Sequence, residues 1–130
     1  MSDYSHHECA LVLFSAGQVG CIETYEGSLS LPWMRALDGE PVADAGVRSW
    51  EITGYVGFID ETIGRIFKVC DDGVARTLLR GNIVAQTPPI RLAGGYFRWV
   101  NLDEAISRLP SFDSSSVKRL HAPLVGGPHA

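Results

Sequence analysis

Three charged side chains near the middle of the chain have the spacing of one helix face. Asp44, Arg48 and Glu51 stand at positions i, i+4 and i+7, and residues three or four apart are neighbours on a helix. One hypothesis is a solvated row of ion pairs, each contributing only about 0.3 kcal/mol. The other is that Arg48 orients Glu51, whose pKa would be raised by partial burial into the range useful for general acid–base catalysis.

Other candidate groups are less specific. Glu23 lies in a strand-like run, where an exposed position is expected because acids are rarely buried; the alternative is a second catalytic carboxylate beside Glu51. Asp60 and Glu61 stand at a predicted turn and are the best substitute metal ligands. Among the arginines, which we expect to be mostly solvated, Arg80 is the best candidate to reach a ligand.

The cysteines and the N-terminal histidines are predicted to do no chemistry. Cys9 and Cys21 lie in apolar runs and Cys70 ends one, so reduced, buried thiols are expected and a catalytic thiol is the alternative. The adjacent pair His6 and His7 has no third ligand at a suitable spacing and is predicted to be solvated.

The apolar pattern predicts the elements that position these groups. Two short runs around a Gly-containing turn, Cys9 to Phe14 and Val19 to Tyr25, predict a β-hairpin. A loop from Pro32 to Pro41 is followed by a helix over about 42–52, with Gly54 as its stop. Strands are predicted over 55–59, 64–69, 77–85 and 96–100, a capped helix over 102–109 starting at Asn101 with Glu104 in a capping box, and a final helical segment over 114–120.

Size and charge bound the class of protein. The 130 residues and net charge of −4 fit one domain over 1–130, with a core at about 9–120, and offer no basic patch for nucleic acid. The longest apolar run is far shorter than the roughly 20 residues of a membrane span. We therefore expect a cytoplasmic protein with a small-molecule ligand, no nucleic-acid or membrane partner, and a homodimer as an open possibility.

Three segments resemble the Nudix superfamily. The run Leu31 to Glu40 has the length and ends of the LPGG…GE opening, Glu40 and Arg48 have the spacing of the Nudix box, and Arg98-Trp-Val-Asn-Leu-Asp-Glu-Ala105 is similar to the segment before the last helix. The resemblance covers roughly residues 9–120. It implies an α/β class fold, a Nudix-like α/β/α sandwich with a mixed β-sheet.

The same comparison shows where the chain departs from the family. Trp33 and Met34 replace the two glycines of the opening, and Ser49 replaces the Glu after the box Arg. The segment from Arg48 to Gly54 is one residue short. Aligned from its end, the paired box glutamates fall on Glu51 and Ile52; aligned from its start, they fall on Ile52 and Thr53.

These departures argue against the family's chemistry, in which Mg²⁺ held by several glutamates on one helix face promotes attack of water on a diphosphate. The resemblance then implies a diverged Nudix-fold protein that acts without metal on a non-diphosphate small molecule, by isomerisation, cyclisation or hydrolysis, with no cofactor. Two alternatives stay open. One is a Mg²⁺-dependent hydrolase of a nucleoside-diphosphate-linked substrate, and the other is a non-catalytic ligand-binding or regulatory domain. The predicted catalytic residues are Glu51, Arg48 and Glu23, and the predicted substrate-binding residues are Trp33, Met34, Arg35, Arg80 and Tyr96.

Overall fold

The computed structural model describes residues 5–60, 62, 65–88, 92 and 94–126, with side chains as far as residue 121. The strands are β1 (His6–Val12), β2 (Phe14–Ser15), β3 (Gln18–Thr24), β4 (Leu29–Ser30), β5 (Trp33–Arg35), β6 (Tyr55–Ile59), β7 (Arg65–Val69), β8 (Val74–Gln86) and β9 (Gly95–Asn101). The helices are α1 (Val42–Ser49), α2 (Leu102–Arg108) and α3 (Ser111–Gly126), and a 3-10 turn over Trp50–Ile52 continues α1.

Two sheets form the centre of the fold. In the first, β1 lies between β5 and β8, antiparallel to β5 and parallel to β8, and β6 and β7 both pair antiparallel with β8. In the second, β3 pairs antiparallel with β2, β4 and β9. The predicted α/β architecture with a mixed sheet is confirmed.

Alternate residues of β1 enter two separate cores, as the twofold side-chain period of a strand requires. Cys9 and Leu11 pack with Ala45 of α1, whereas Ala10 and Val12 pack with α2 and α3. Helices therefore cover both faces of the first sheet, and each charged group can be assigned to the α1 side or to the α2–α3 side. The core on the α2–α3 side, which contains Ala10 and Val12, also contains Val19, Cys21, Leu78, Val100, Ala105, Leu109, Val117 and Leu120.

The predicted hairpin is only partly correct. Phe14 and Ser15 pair with Val19 and Gln18 around a turn in which Ala16 and Gly17 have φ of 50° and 79°, the conformation that tight hairpins need. The preceding residues, His6–Val12, instead join the other sheet beside β8. Apolar periodicity identifies a strand but does not identify its partner, and this limit is the reason for the error.

The predicted loop between Pro32 and Pro41 contains a short strand. β5 pairs with β1, with Trp33 opposite Ala10 and Met34 opposite Cys9. Directly opposed residues of an antiparallel pair lie on the same face of a sheet. Trp33 consequently faces the α2–α3 side and Met34 the α1 side, so the two bulky residues do not act together.

The first predicted helix has the expected range but changes type within it. It is α-helical to Ser49 and then tightens into the 3-10 turn Trp50–Ile52, after which Gly54 adopts a φ of 80°. A 3-10 turn rises about 2.0 Å per residue and an α-helix about 1.5 Å. Three 3-10 residues thus cover roughly the 6 Å that four α-helical residues would cover. The tightening offsets the one-residue shortening of this segment.

The predicted capping box at the start of α2 is wrong. Asn101 makes no side-chain capping bond, and Glu104 accepts a hydrogen bond from Arg108 Nη1 at 2.6 Å instead of turning back toward the N-terminus.

The final helix is longer than predicted, since α3 begins at Ser111 and continues to Gly126. No helix in the described ranges has the length and apolar character of a membrane span.

Candidate functional site

The entry of α1 is fixed by one ion pair. Arg48 donates to both carboxylate oxygens of Glu40, from Nε at 2.9 Å and from Nη2 at 2.6 Å, and also to the carbonyl of Arg35 at 2.8 Å. The backbone N–H of Leu37 donates to Glu40 as well. Hydrogen bonding by Arg48, and to a smaller extent by the backbone of Leu37, lowers the pKa of Glu40 to about 2. Both predicted partners of Arg48 are therefore displaced, since its guanidinium binds Glu40 rather than Asp44 or Glu51.

At the exit of α1, Ser49 stands where the family pattern has an acid, and Thr53 does so when the segment is aligned from its start. Ser49 is buried and its hydroxyl donates to the carbonyl of Pro32 at 2.8 Å. Thr53 is also buried, and its hydroxyl donates to the carbonyl of Trp50 at 2.7 Å. These two side chains satisfy backbone carbonyls inside the protein. Neither presents an oxygen to a ligand.

Trp50 packs where two glycines make room for it. A Cβ at Gly81 would lie 2.9 Å from Trp50 Cζ2, and a Cβ at Gly57 would lie 2.8 Å from Trp50 Cη2. The indole ring therefore lies directly on β6 and β8 and is almost completely buried. This contact anchors the 3-10 turn and holds the residues that follow it, Ile52 to Tyr55, at the surface of the sheet.

Beside this turn lies an open cleft of about 520 Å³ whose described lining includes five aromatic residues, and we call it the aromatic cleft. Three of the rings, Tyr55, Phe97 and Trp99, contact one another edge to face at centroid distances of 5.5 to 5.9 Å. Trp99 Nε1 donates to the hydroxyl of Tyr55 at 3.0 Å. This mutual packing gives the cleft a rigid aromatic wall. The other lining residues in the described part of the chain are Tyr25, Ile52, Thr53, Gly54, Gln86, Leu92, Gly95, Tyr96 and Arg98.

Two tyrosines extend from the rim of the aromatic cleft. Tyr25 and Tyr96 are 71% and 44% exposed, and their ring centroids are 6.1 Å apart with the planes tilted by 36°. The backbone N–H of Tyr25 donates to the carbonyl of Gly94, which joins the two segments that carry the rings. The structure thus places Tyr96, a predicted substrate-binding residue, in the wall of a cleft.

Glu51 lies in the next groove. This groove, about 390 Å³ in volume, shares Tyr55 with the aromatic cleft and is otherwise lined by Val47, Trp50, Glu51, Val56, Gly57, Thr87 and Pro88. Glu51 is exposed, so the partial burial that was expected for it is absent. Within the described residues it accepts no hydrogen bond, and its only charged neighbour of note is Arg48, at longer range.

Glu23 is held by two arginines. It pairs with Arg98, and Arg108 Nη1 of α2 lies 3.5 Å from the same carboxylate oxygen. Hydrogen bonding by Arg98 lowers the pKa of Glu23. Arg98 and Arg108 occupy the Glu23 carboxylate, and no contact within the described residues joins it to Glu51. The pairing of the two carboxylates stays a prediction.

The remaining predicted ligand-binding residues are dispersed. Trp33 donates from Nε1 to Asp113 of α3 at 3.1 Å, in a second cleft on the α2–α3 side. Met34 faces the α1 core and Arg35 is exposed beside the entry of α1. None of the three lines the aromatic cleft.

Arg80 contradicts its prediction most clearly. It is only 5% exposed, it donates from Nη1 to the carbonyl of Leu120 in α3 at 3.2 Å, and its guanidinium lies 5.0 Å from the centre of the Phe14 ring. Burial lowers its pKa, while Asp60 acts in the opposite direction. Among the side-chain atoms of the described residues, its Nε is the one buried atom without a hydrogen-bond partner. Arg80 anchors α3 and cannot reach a ligand in this conformation.

The cysteines and histidines give a mixed outcome. Cys9 and Cys21 are buried free thiols whose pKa is raised to about 12 by burial, which makes them poor nucleophiles, while Cys70 is partly exposed. The prediction that the two histidines are solvated is only partly correct. His6 contacts Glu8 at 3.3 Å, and His7 Nε2 lies 2.7 Å from Thr77 Oγ1.

The donor groups present do not fit a Mg²⁺ site, which requires about six oxygen ligands. Glu40 is occupied by Arg48, the hydroxyls of Ser49 and Thr53 are turned inward, and Ile52 has no donor atom. Asp60 is bound to Thr62 and Asn82, and Glu61 lies outside the described residues. Within those residues no group of three or more His, Cys, Asp or Glu side chains is arranged to hold a metal ion.

No protein-family model and no curated protein sequence matches the chain. Solved structures do match it over nearly its whole length. A Nudix hydrolase from Nitrosomonas europaea is 19% identical, with a TM-score of 0.71 and coverage of 90% of this chain and 88% of that one. The chain has the Nudix fold.

Two further Nudix-fold matches carry more specific names. A Caenorhabditis elegans Ap4A hydrolase is 14% identical, with a TM-score of 0.66 and coverage of 93% of this chain and 98% of that one. An ADP-ribose pyrophosphatase from Streptococcus suis is 11% identical, with a TM-score of 0.65 and coverage of 95% and 92%. At such identities the matches establish the Nudix fold and leave the chemistry to the residues of this chain.

Sequence reasoning missed the aromatic wall of this Nudix-fold protein. Tyr55 and Phe97 were assigned only to strands, and Trp99 was expected to be a core residue, with a ligand platform as the alternative. The available signal was the alternation of Phe97 and Trp99 on one face of β9. It would have found the wall only together with the knowledge that Tyr55, 44 positions from Trp99, faces them.

Proposed function

We propose that this Nudix-fold chain binds a small molecule with a planar ring in the aromatic cleft, without a divalent metal ion and without recognising a diphosphate. The observation that carries the proposal is the aromatic wall of Tyr55, Phe97 and Trp99, fixed by ring contacts and by the bond from Trp99 to Tyr55. Ligand sites are mostly apolar clefts of this size with a few fixed polar groups.

The charges around the cleft support a ligand of low charge. Among the described lining residues only Arg98 is ionised at neutral pH, and it is paired with Glu23. A diphosphate would need compensating cations or a metal. Arg98 is already neutralised and the exit of α1 offers one carboxylate, so neither requirement is met by these residues.

Nucleosides are suitable first probes. Two of the similar structures are named for Ap4A and ADP-ribose, both of which contain adenine, a planar ring. Calorimetry with adenosine and with ADP, each in EDTA, should give binding of the nucleoside that is at least as tight as binding of the diphosphate. Tighter binding of ADP by tenfold or more would contradict the proposal.

Removing a rim ring tests the location. Tyr96→Ala should weaken adenosine binding by roughly tenfold, because stacking on one aromatic side chain contributes about 1–3 kcal/mol. The matched control is Phe67→Ala, which removes a similarly exposed ring from β7, remote from the cleft. Equal effects of the two substitutions would place the ligand elsewhere.

A catalytic function is the second candidate, favoured by the position of Glu51. Its carboxylate stands in the groove that shares Tyr55 with the aromatic cleft and is free of hydrogen bonds within the described residues. A ligand that extends over Tyr55 would meet this carboxylate, which is able to accept a proton as a general base. Metal-free turnover of a bound compound that is lost in Glu51→Gln would favour this function over simple binding.

A further inference from the structure

The hydrogen bond between Trp99 and Tyr55 fixes the polarity of the Tyr55 hydroxyl. An indole N–H is a donor with no acceptor capacity, whereas a phenol both donates and accepts. In the 3.0 Å contact between Trp99 Nε1 and the Tyr55 oxygen, the tyrosine therefore accepts. Its own proton must point to another partner.

That partner is not supplied by the described part of the protein. The only hydrogen bond of the Tyr55 side chain recorded there is the one from Trp99, and the side chain lines the aromatic cleft. A hydroxyl proton without a protein acceptor at the wall of a binding cleft is bonded to solvent until a ligand replaces the water.

We propose that Tyr55 is a specificity-determining residue of the aromatic cleft, donating its O–H to an acceptor atom in the plane of the bound ring. The inference rests on the proposed function and adds the class of ligand: a planar ring with a carbonyl oxygen or an unprotonated ring nitrogen at its edge. Trp99 acts through Tyr55, because its N–H occupies a lone pair of the phenol oxygen and leaves donation as the stronger remaining role.

The same polarity discriminates against two other kinds of ring. A ring without an edge acceptor displaces water from the hydroxyl and leaves the donor unpaired, which costs binding free energy. A ring with an N–H at its edge also opposes one donor to another. Sites built around a fixed hydrogen bond reject analogues that lack the matching group more strongly than apolar sites do.

Three small rings of nearly equal size test this directly. Pyridine has an in-plane acceptor, benzene has none, and pyrrole has an N–H donor. Each ring is titrated at a pH where pyridine is unprotonated, and binding is followed through the indole N–H resonance of Trp99. A net hydrogen bond of about 0.5–1.5 kcal/mol predicts that pyridine binds roughly 2- to 10-fold more tightly than benzene, with pyrrole the weakest.

Two variants separate hydrogen bonding from packing. Tyr55→Phe should reduce the affinity ratio of pyridine to benzene to about one while leaving benzene binding unchanged, because only the donor is removed. Ser115→Ala, which removes an exposed hydroxyl from α3 outside the lining of the cleft, should retain the wild-type ratio. A ratio that persists in Tyr55→Phe, or an equal loss for both rings, would overturn the inference. Failure of all three rings to bind the wild-type protein would instead overturn the proposed function itself.

Discussion

The two ends of α1 show how the same stretch of sequence serves two purposes. At the entry, Glu40 is held by two hydrogen bonds from Arg48 and one from Leu37. At the exit, Glu51 has no such partner in the described residues, and the helix tightens over Trp50–Ile52. The entry therefore has a carboxylate that fixes the backbone, whereas the exit has one unpaired carboxylate, Glu51, among hydroxyl and apolar groups of the described residues.

This difference separates two parts of the Nudix pattern that a motif search treats as one. The spacing of Glu40 and Arg48 is maintained by a structural ion pair, so its presence says little about catalysis. The chemistry of the pattern depends on the exit, where Ser49 and Thr53 bind backbone carbonyls and Trp50 supports the floor of an aromatic cleft. The Nudix fold of this chain is thus compatible with inward-facing hydroxyl groups at the exit of its helix.

The largest predicted effect is on the exit side. Trp50→Ala should lower the free energy of unfolding by about 3–5 kcal/mol, because it leaves a cavity over Gly57 and Gly81 that the sheet cannot close. Urea denaturation of the variant measures the loss. Phe67→Ala, an exposed ring on β7, should cost much less. Similar costs for the two rings would show that Trp50 does not anchor the exit.

The next effect concerns the buried hydroxyl at Ser49. Ser49→Ala should cost about 1–3 kcal/mol, because the carbonyl of Pro32 is left buried without its donor. Ser115→Ala is the matched control, since its exposed hydroxyl bonds only to the carbonyl of Phe112 within α3 and its loss should change stability by less than about 0.5 kcal/mol. If Ser49→Ala lowers the free energy of unfolding no more than Ser115→Ala does, the inward hydroxyl of Ser49 does not stabilise the exit of α1.

The ion pair at the entry of α1 should make the free energy of unfolding depend on pH. The pKa of Glu40 is lowered from 4.5 to about 2 by Arg48 and Leu37, so its stabilising effect is complete above about pH 4.5 and is lost as the pH falls toward 2. The stability of Glu40→Gln should therefore fall less steeply across this window than that of the wild type. Glu26→Gln, at an exposed turn, serves as the control, and a Glu40→Gln profile as steep as that of the control would contradict the assignment.

Glu51 is predicted to give the smallest effect on stability. Glu51→Gln should change the free energy of unfolding by less than about 0.5 kcal/mol, as is usual for an exposed side chain without fixed partners, and adenosine binding should be unchanged. Any metal-free turnover should fall by about 10²-fold if Glu51 is a general base. A large loss of stability would show that Glu51 belongs to the fold, like Glu40.

The sequence was sufficient for most of the fold. The range 42–52 and the stop at Gly54 could be predicted because each depends on local periodicity or on a residue that permits a turn. The pairing of β1 with β8, more than 60 positions away, and the strand β5 inside a predicted loop depend on contacts distant in sequence. Local patterns do not encode these.

The candidate site was less predictable for the same reason. Tyr96 was identified, but Arg80 was expected at a ligand and lies under α3, because an isolated arginine on a strand gives no sign of which helix will cover it. Arg48 was assigned to Glu51 by helical spacing, whereas its partner Glu40 precedes the helix. Glu23 and Glu51 were paired as possible acids, whereas the partners of Glu23 are Arg98 and Arg108.

The central claim is that the exit of α1 supports ring binding without metal. The most direct test is the affinity of the wild-type chain for adenosine, measured by calorimetry in EDTA and again in excess Mg²⁺. We expect equal affinities in the two conditions. Binding that appears only with Mg²⁺, or that becomes tenfold tighter with it, would contradict the claim and favour a metal site at the exit of α1.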